Sequence, residues 1–123
     1  MPLFRMAWMQ IFLMLTNFST DDFLGGKLRV KQPKQGYRAG IDPVLLAASV
    51  NAHMGEDILD LGCGVGVASL CLSYRIAGLN IYGVEIQSDY AALANENGKL
   101  NSIDFNVINA DIAKLPGPLR QMQ

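Results

Sequence analysis

The sequence predicts an α/β fold built on a parallel sheet. Short apolar runs alternate with helical segments between residues 58 and 109. A glycine-rich turn, Gly62-Cys63-Gly64-Val65-Gly66, joins the first apolar run to the first of those helices. The second apolar run ends in an acid, Glu85, 19 residues after Gly66. Strand–helix–strand–helix–strand order implies parallel strands joined by right-handed crossovers. At 123 residues the chain has room for one domain at most.

Met1–Leu15 is almost wholly apolar, interrupted by Arg5 and Gln10. It is shorter than the ~20 residues a membrane span needs. Two readings fit it: an added start or docking helix, or a signal or anchor, although Thr16–Ser19 offers no small-x-small cleavage site. Residues 1–19 are therefore set apart as an apolar extension, 20–55 as a segment leading to the glycine turn, and 56–123 as the start of the α/β domain.

Lys27-Leu28-Arg29-Val30-Lys31 alternates charged and apolar residues, the period of a half-buried strand. Gly25-Gly26 precedes it and Gln32–Gly36 reads as a turn, so a β-hairpin with Tyr37-Arg38 on the return strand is expected. Asp42-Pro43 then opens a helix, with Asp42 as N-cap and Pro43 at the first helical position. Val44, Leu45, Ala47, Ala48 and Val50 form its apolar stripe, and Gly55 lies just past its end. His53 is read as a C-terminal helix residue favoured by the dipole there. Ile58–Leu61 is the first strand of the alternation, Val67–Ile76 a helix and Asn80–Glu85 the second strand. Ser88 or Asp89 caps a helix running to about Leu100, and Phe105–Asn109 is the third strand.

The chain's net charge of −1 supplies no global field toward nucleic acid or membrane. Locally the picture differs. Residues 27–38 carry Lys27, Arg29, Lys31, Lys34 and Arg38 and no acid, whereas residues 39–123 carry four bases and nine acids. Such a block either faces an anion or is a solvated strand face. The cysteines, Cys63 and Cys71, have a spacing that fits no zinc or thioredoxin-like pattern and read as small buried apolar side chains. If both are reduced, the compartment is cytosolic.

The glycine turn carries the functional argument. It lies at the carboxyl end of a strand, where open α/β sheets bind ligands. A dinucleotide fingerprint, G-x-G-x-x-G, would place its third glycine at Val67. Here that glycine comes one residue early, as Gly66. Asp60 ends the strand, and a carboxylate there would repel a pyrophosphate but attract the ammonium of an amino-acid ligand. A P-loop is excluded because Gly-Lys-Ser/Thr is absent. Glu85 can accept from both hydroxyls of a ribose. Asp111, beyond the third strand, can accept from an adenine amino group, with Ile86 and Ile112 as apolar walls for the ring. Gly62, Gly64 and Gly66 let the backbone approach such a ligand closely.

Asp60–Gly66 resembles motif I of the class I S-adenosylmethionine-dependent methyltransferases, and Glu85 and Asp111 fall where that family's next two motifs fall. Phe23–Val30 and Gln32–Ala48 are similar to the bacterial tRNA1(Val) (adenine-N6)-methyltransferases of the methyltransferase small domain group. The resemblance implies a Rossmann-like fold, represented here by about its first three strands. S-adenosyl-L-methionine would be the cofactor, a tRNA the partner and N6 of adenine the acceptor. It places Tyr37 and Asp42 in the cofactor pocket, against the plainer readings of core residue and helix cap. It gives Lys27, Arg29, Lys31, Lys34 and Arg38 to RNA phosphates. The family's Asn-Pro-Pro-Tyr motif, which holds the reacting amine, has no counterpart among Pro2, Pro33, Pro43, Pro116 and Pro118. No catalytic residue is therefore assigned, and the chain alone is expected to be inactive. It would be a cofactor-binding half-domain or a remnant needing a second half. An exposed strand edge is expected to favour self-association. A secreted protein would meet no supply of such a cofactor, so a cytoplasmic protein is expected, with no metal and no membrane partner.

Overall fold

The computed structural model describes residues 17–36, 38–115 and 117. Met1–Leu15 and Tyr37, both singled out above, lie outside the described residues.

Strands β1 (Phe18–Phe23) and β2 (Leu28–Pro33) form an antiparallel hairpin in which Phe23 faces Leu28. This corrects the expected hairpin, whose return strand was placed downstream at Arg38. Leu24, Gly25 and Gly26 all take positive φ (52°, 66° and 85°), and this turns the chain before β2 rather than after it. Arg38 instead donates to the Pro33 carbonyl and to Asp21, both at 2.7 Å. β1 also begins inside the residues set apart as an extension. Along β2 the predicted alternation is present: Leu28 and Val30 are buried, Arg29 is exposed and Lys31 half-buried.

Helix α1 (Asp42–Ser49) starts one residue earlier than expected. Leu45 N–H donates to the Ile41 carbonyl, so Ile41 is the N-cap and Asp42 makes no capping bond. The helix also stops sooner than Gly55 suggested. The Arg75 guanidinium donates to the carbonyls of Ala47 (3.0 Å) and Val50, occupying acceptors that a further turn would have used. His53 lies beyond the helix, exposed and 3.0 Å from Glu56, so the helix-dipole reading of it is corrected.

Strands β3 (Asp57–Leu61), β4 (Asn80–Glu85) and β5 (Phe105–Asn109) form a parallel sheet in that order, crossed over by α2 (Val67–Arg75) and α3 (Ser88–Leu100). These elements match the predicted ones within a residue. The cap of α3 is Gln87 rather than Ser88 or Asp89, and the Gln87 side chain makes no capping bond. Because the strand order advances in one direction, two right-handed crossovers put both helices on one face. There Leu70, Cys71, Leu93 and Ala94 pack on Ile81 and Phe105, with Leu28 and Val30 of the hairpin joining the same core. On the opposite face Val84 is buried under Leu115, while Leu61 is 41% exposed. β3 pairs with β4 on one side and with no strand on the other among the described residues.

Candidate functional site

The turn from β3 to α2 is the structural centre of the site. Gly62 and Cys63 N–H both donate to the Val84 carbonyl, at 2.8 and 3.1 Å, folding the turn back onto the end of β4. Gly62, Gly64 and Gly66 have φ of 71°, 57° and 95°, a region that side-chain-bearing residues rarely adopt. The three glycines then divide by surroundings. A Cβ on Gly62 or Gly64 would meet nothing within 4 Å, whereas on Gly66 it would lie 2.7 Å from Phe105 Cε1. The first two border open space and the third lets helix and sheet pack closely.

That open space is a cleft of about 500 Å³ bordered by Asp42, Pro43 and Leu46 of α1 and by Asp60, Gly62 and Gly64. Such a volume lies within the range of small-molecule sites, about 300–1,000 Å³. The Asp60 carboxylate accepts from Ser69 Oγ of α2 at 2.6 Å. Burial pushes the Asp60 carboxyl above the usual range; the Ser69 bond pulls it back, and the Glu85 charge adds to the rise. An incoming cation would relieve both burial and repulsion. The Cys63 thiol, pushed up to about 12 by burial and then by the charges of Asp60 and Glu85, stays protonated and is no nucleophile. Both cysteines are free.

Glu85 is 7% exposed. One of its oxygens accepts from Gly64 N–H and the other from Gln87 N–H, both at 2.9 Å. It therefore braces the turn from behind, with lone pairs left over on both oxygens. Ile86 is 64% exposed and Ile112 48% exposed. Asp111 accepts from Ala113 N–H at 3.0 Å, starting a short 3-10 turn over Ile112–Lys114. The structure thus brings Asp42, Asp60, Gly62 and Gly64 to one cleft. Gly66 and Glu85 stand behind it, and Ile86, Asp111 and Ile112 lie on an exposed rim at the ends of β4 and β5.

The basic block is less uniform than its sequence. Lys31 pairs with Glu96 at 2.5 Å and Arg38 with Asp21 at 2.7 Å. Lys27 lies 5.6 Å from the centre of the Tyr74 ring. Among the described residues Lys27, Arg29 and Lys34 have no acidic partner.

Sequence reasoning missed Ser69 and two asparagines of α3, Asn97 and Asn101. Asn97 is fully buried, and its side chain reaches both β2 and the Val65 carbonyl of the glycine turn. The signal was a polar residue falling at the helical period of Tyr90, Ala94 and Asn101, on a face that otherwise turns inward.

A family described as a methyltransferase domain matches residues 58–123. The chain belongs to this family. A 23S rRNA (uracil(747)-C(5))-methyltransferase of Pyrococcus abyssi is 36% identical over 77 residues, which are 61% of this chain and 18% of that protein. A tRNA1(Val) (adenine(37)-N6)-methyltransferase of a Flavobacteriaceae bacterium is 34% identical over 71 residues, 58% of this chain and 31% of that protein. A putative protein N5-glutamine methyltransferase of Methanocaldococcus jannaschii is 28% identical over 69% of this chain and 43% of its own. The chain thus spans between about a fifth and two fifths of these relatives. Among solved structures, Pyrococcus horikoshii TYW2 in complex with MeSAdo superposes with a TM-score of 0.69 at 19% identity, covering 82% of this chain and 39% of that one. A tRNA (uracil-54, C5)-methyltransferase of P. abyssi in complex with S-adenosyl-L-homocysteine gives 0.65 at 18%, covering 83% and 26%. These likenesses establish the Rossmann-like methyltransferase fold expected from the sequence.

Among the described residues no helix is long and apolar enough to cross a membrane. No group of three or more His, Cys, Asp or Glu among them could hold a metal.

Proposed function

We propose that this chain holds S-adenosylmethionine in the cleft between α1 and the glycine turn, as the cofactor-binding part of an enzyme that methylates RNA. The carrying observation is Asp60: a half-buried carboxylate, fixed by Ser69, beside a turn whose Gly62 and Gly64 face open space. Asp60 would take the ammonium of the cofactor's amino-acid end. Gly62 and Gly64 would leave room for close approach, and Asp42 and Leu46 would close the cleft from α1. Glu85, Ile86 and Asp111 extend the reading toward ribose and adenine. The cofactor supplies a methyl group already activated by the positive charge of its sulfonium. What this chain contributes is binding and orientation.

For the acceptor we favour N6 of a tRNA adenine. Residues 23–48 and the tRNA1(Val) relatives support that choice over the uracil and glutamine chemistry of other relatives. Lys27, Arg29 and Lys34, without acidic partners among the described residues, would meet phosphates, which fixes position without reading sequence. A second reading is that the chain binds the cofactor without transferring its methyl group.

Titration calorimetry with S-adenosylhomocysteine tests the first step. Asp60→Asn removes a charge-assisted bond of about 1.5–3 kcal/mol, so affinity should fall at least tenfold. Because the folded-state pKa of Asp60 is raised, its ionised form costs stability at neutral pH; that cost shrinks as pH falls below the folded value and is gone below the unfolded one. The same variant should therefore melt higher than the parent at pH 7. A folded parent chain that takes up no S-adenosylhomocysteine overturns the cofactor reading. Methyl transfer to tRNA by the chain, followed with a labelled methyl group, would exclude the second reading.

A further inference from the structure

The outer edge of β2 is closed by two side chains rather than by a strand. Asn97 Oδ1 accepts from Lys31 N–H at 2.7 Å, and its Nδ2 donates to the Lys31 carbonyl at 3.0 Å. One turn on, Asn101 Oδ1 accepts from Arg29 N–H at 2.9 Å and its Nδ2 donates to the Arg29 carbonyl at 2.7 Å. The match is geometric. Four helical residues rise about 6 Å, and two strand residues span about 6.6 Å. An i,i+4 pair of amides therefore meets alternate strand residues in register. The two asparagines run antiparallel to β2 and act as a third strand for the hairpin.

They differ in one respect. The second Nδ2 hydrogen of Asn101 goes back to its own helix, to the Asn97 carbonyl at 2.7 Å. That of Asn97 goes to the Val65 carbonyl at 2.9 Å, inside the glycine turn. Asn97 is fully buried, so nothing replaces these bonds if the amide is removed. A single side chain thus joins the strand carrying Arg29 and Lys31 to the loop bordering the cleft.

We propose that Asn97 is a positioning residue for the cofactor loop, holding Val65 and hence the Gly64–Gly66 backbone at a fixed distance from β2. This rests on the reading that the loop binds S-adenosylmethionine. Asn101 plays the same part toward β2 with no contact to the loop, and so serves as the built-in control.

The experiment compares Asn97→Ala with Asn101→Ala in the 123-residue chain, at a temperature where circular dichroism shows both folded. Asn97→Ala should raise the Kd for S-adenosylhomocysteine about tenfold, and Asn101→Ala less than twofold. Equal changes in the two overturn the proposal. A second readout needs no ligand. Amide hydrogen exchange at Gly64 and Gly66 should accelerate in Asn97→Ala and stay at the parent rate in Asn101→Ala. If the parent chain takes up no S-adenosylhomocysteine, the cofactor reading falls, and exchange alone then decides the positioning role. Should Asn97→Ala not fold, Asn97→Asp keeps the side-chain shape and the acceptor for Lys31 while losing both donors. The same two results are expected of it, and parent-like exchange at Gly64 and Gly66 overturns the proposal.

Discussion

β2 and β3 each have a strand neighbour on one side, and their other edges are handled differently. β2 gives its free edge to Asn97 and Asn101, so every backbone group of Arg29 and Lys31 on that side finds a side-chain amide. β3 has no such partner among the described residues. Its outer edge lies beside the groove under α1, bordered by Leu46, Val50 and Ile58. The difference teaches where each region gets its order. The β3–β5 sheet rests on a backbone ladder and close steric fit around Phe105. The hairpin adds polar side chains supplied from residues far along the chain to its own ladder and to the burial of Leu28 and Val30.

Two glycines put this contrast to the test. Gly66→Ala forces a Cβ to 2.7 Å from Phe105 at a φ of 95°, combining overpacking with left-handed strain. It should cost about 3 kcal/mol. Gly26→Ala, at a φ of 85° with nothing within 4 Å, carries only the strain and should cost about 1 kcal/mol. Denaturant melts that gave equal losses would remove the claim that steric fit distinguishes the two regions.

The second prediction concerns the hairpin's exposed cations. A Lys27→Ala, Arg29→Ala, Lys34→Ala triple variant should lower RNA affinity about tenfold at low salt. It should also flatten the slope of log affinity against log salt by about 2–3, since each phosphate contact contributes roughly 0.7–0.9. Lys31→Ala and Arg38→Ala, whose charges are already met by Glu96 and Asp21, should do less. An unchanged slope in the triple variant would remove these residues from the RNA reading.

The smallest expected effect is acid sensitivity of the hairpin. Burial pushes the Asp21 carboxyl up, but hydrogen bonds from Ser19 and Gln32 and the charge and hydrogen bond of Arg38 outweigh it, leaving its pKa below the usual value. The folded-state value is depressed, so this stabilisation is present above the unfolded value and is lost as pH falls through the folded one. For a pair this accessible it should amount to under about 1 kcal/mol. Asp21→Asn should reduce the difference in melting temperature between pH 6 and pH 3, with little change at pH 6 beyond that small loss.

Much of the α/β part was legible from local pattern. Apolar runs, the glycine spacing and the acid ending β4 mark their positions in the chain. The strands and helices from Asp57 to Asn109 accordingly fall within a residue of expectation. The hairpin was misread because Gln32–Gly36 resembles a turn as much as Leu24–Lys27 does. Which one pairs the strands depends on partners outside both. The α1 boundaries erred for a related reason: its end is set by Arg75, 25 residues beyond Val50.

The sequence by itself determined the order of elements, the glycine turn with Asp60 at its base, and the cofactor class those residues suit. These rest on backbone conformation and side-chain period, properties of neighbouring residues. Only the tertiary structure decided that Asp42 and Asp60 border one cleft, that Glu85 braces the turn, that Lys31 and Arg38 are already paired, and that Asn97 ties β2 to Val65. The Asn97 bonds to Lys31 join residues 66 positions apart, and that to Val65 joins residues 32 apart. The helical period can mark Asn97 as an inward-facing polar residue, but a contact at that separation leaves no trace of its partner in the chain, because its geometry exists only once the helix has docked.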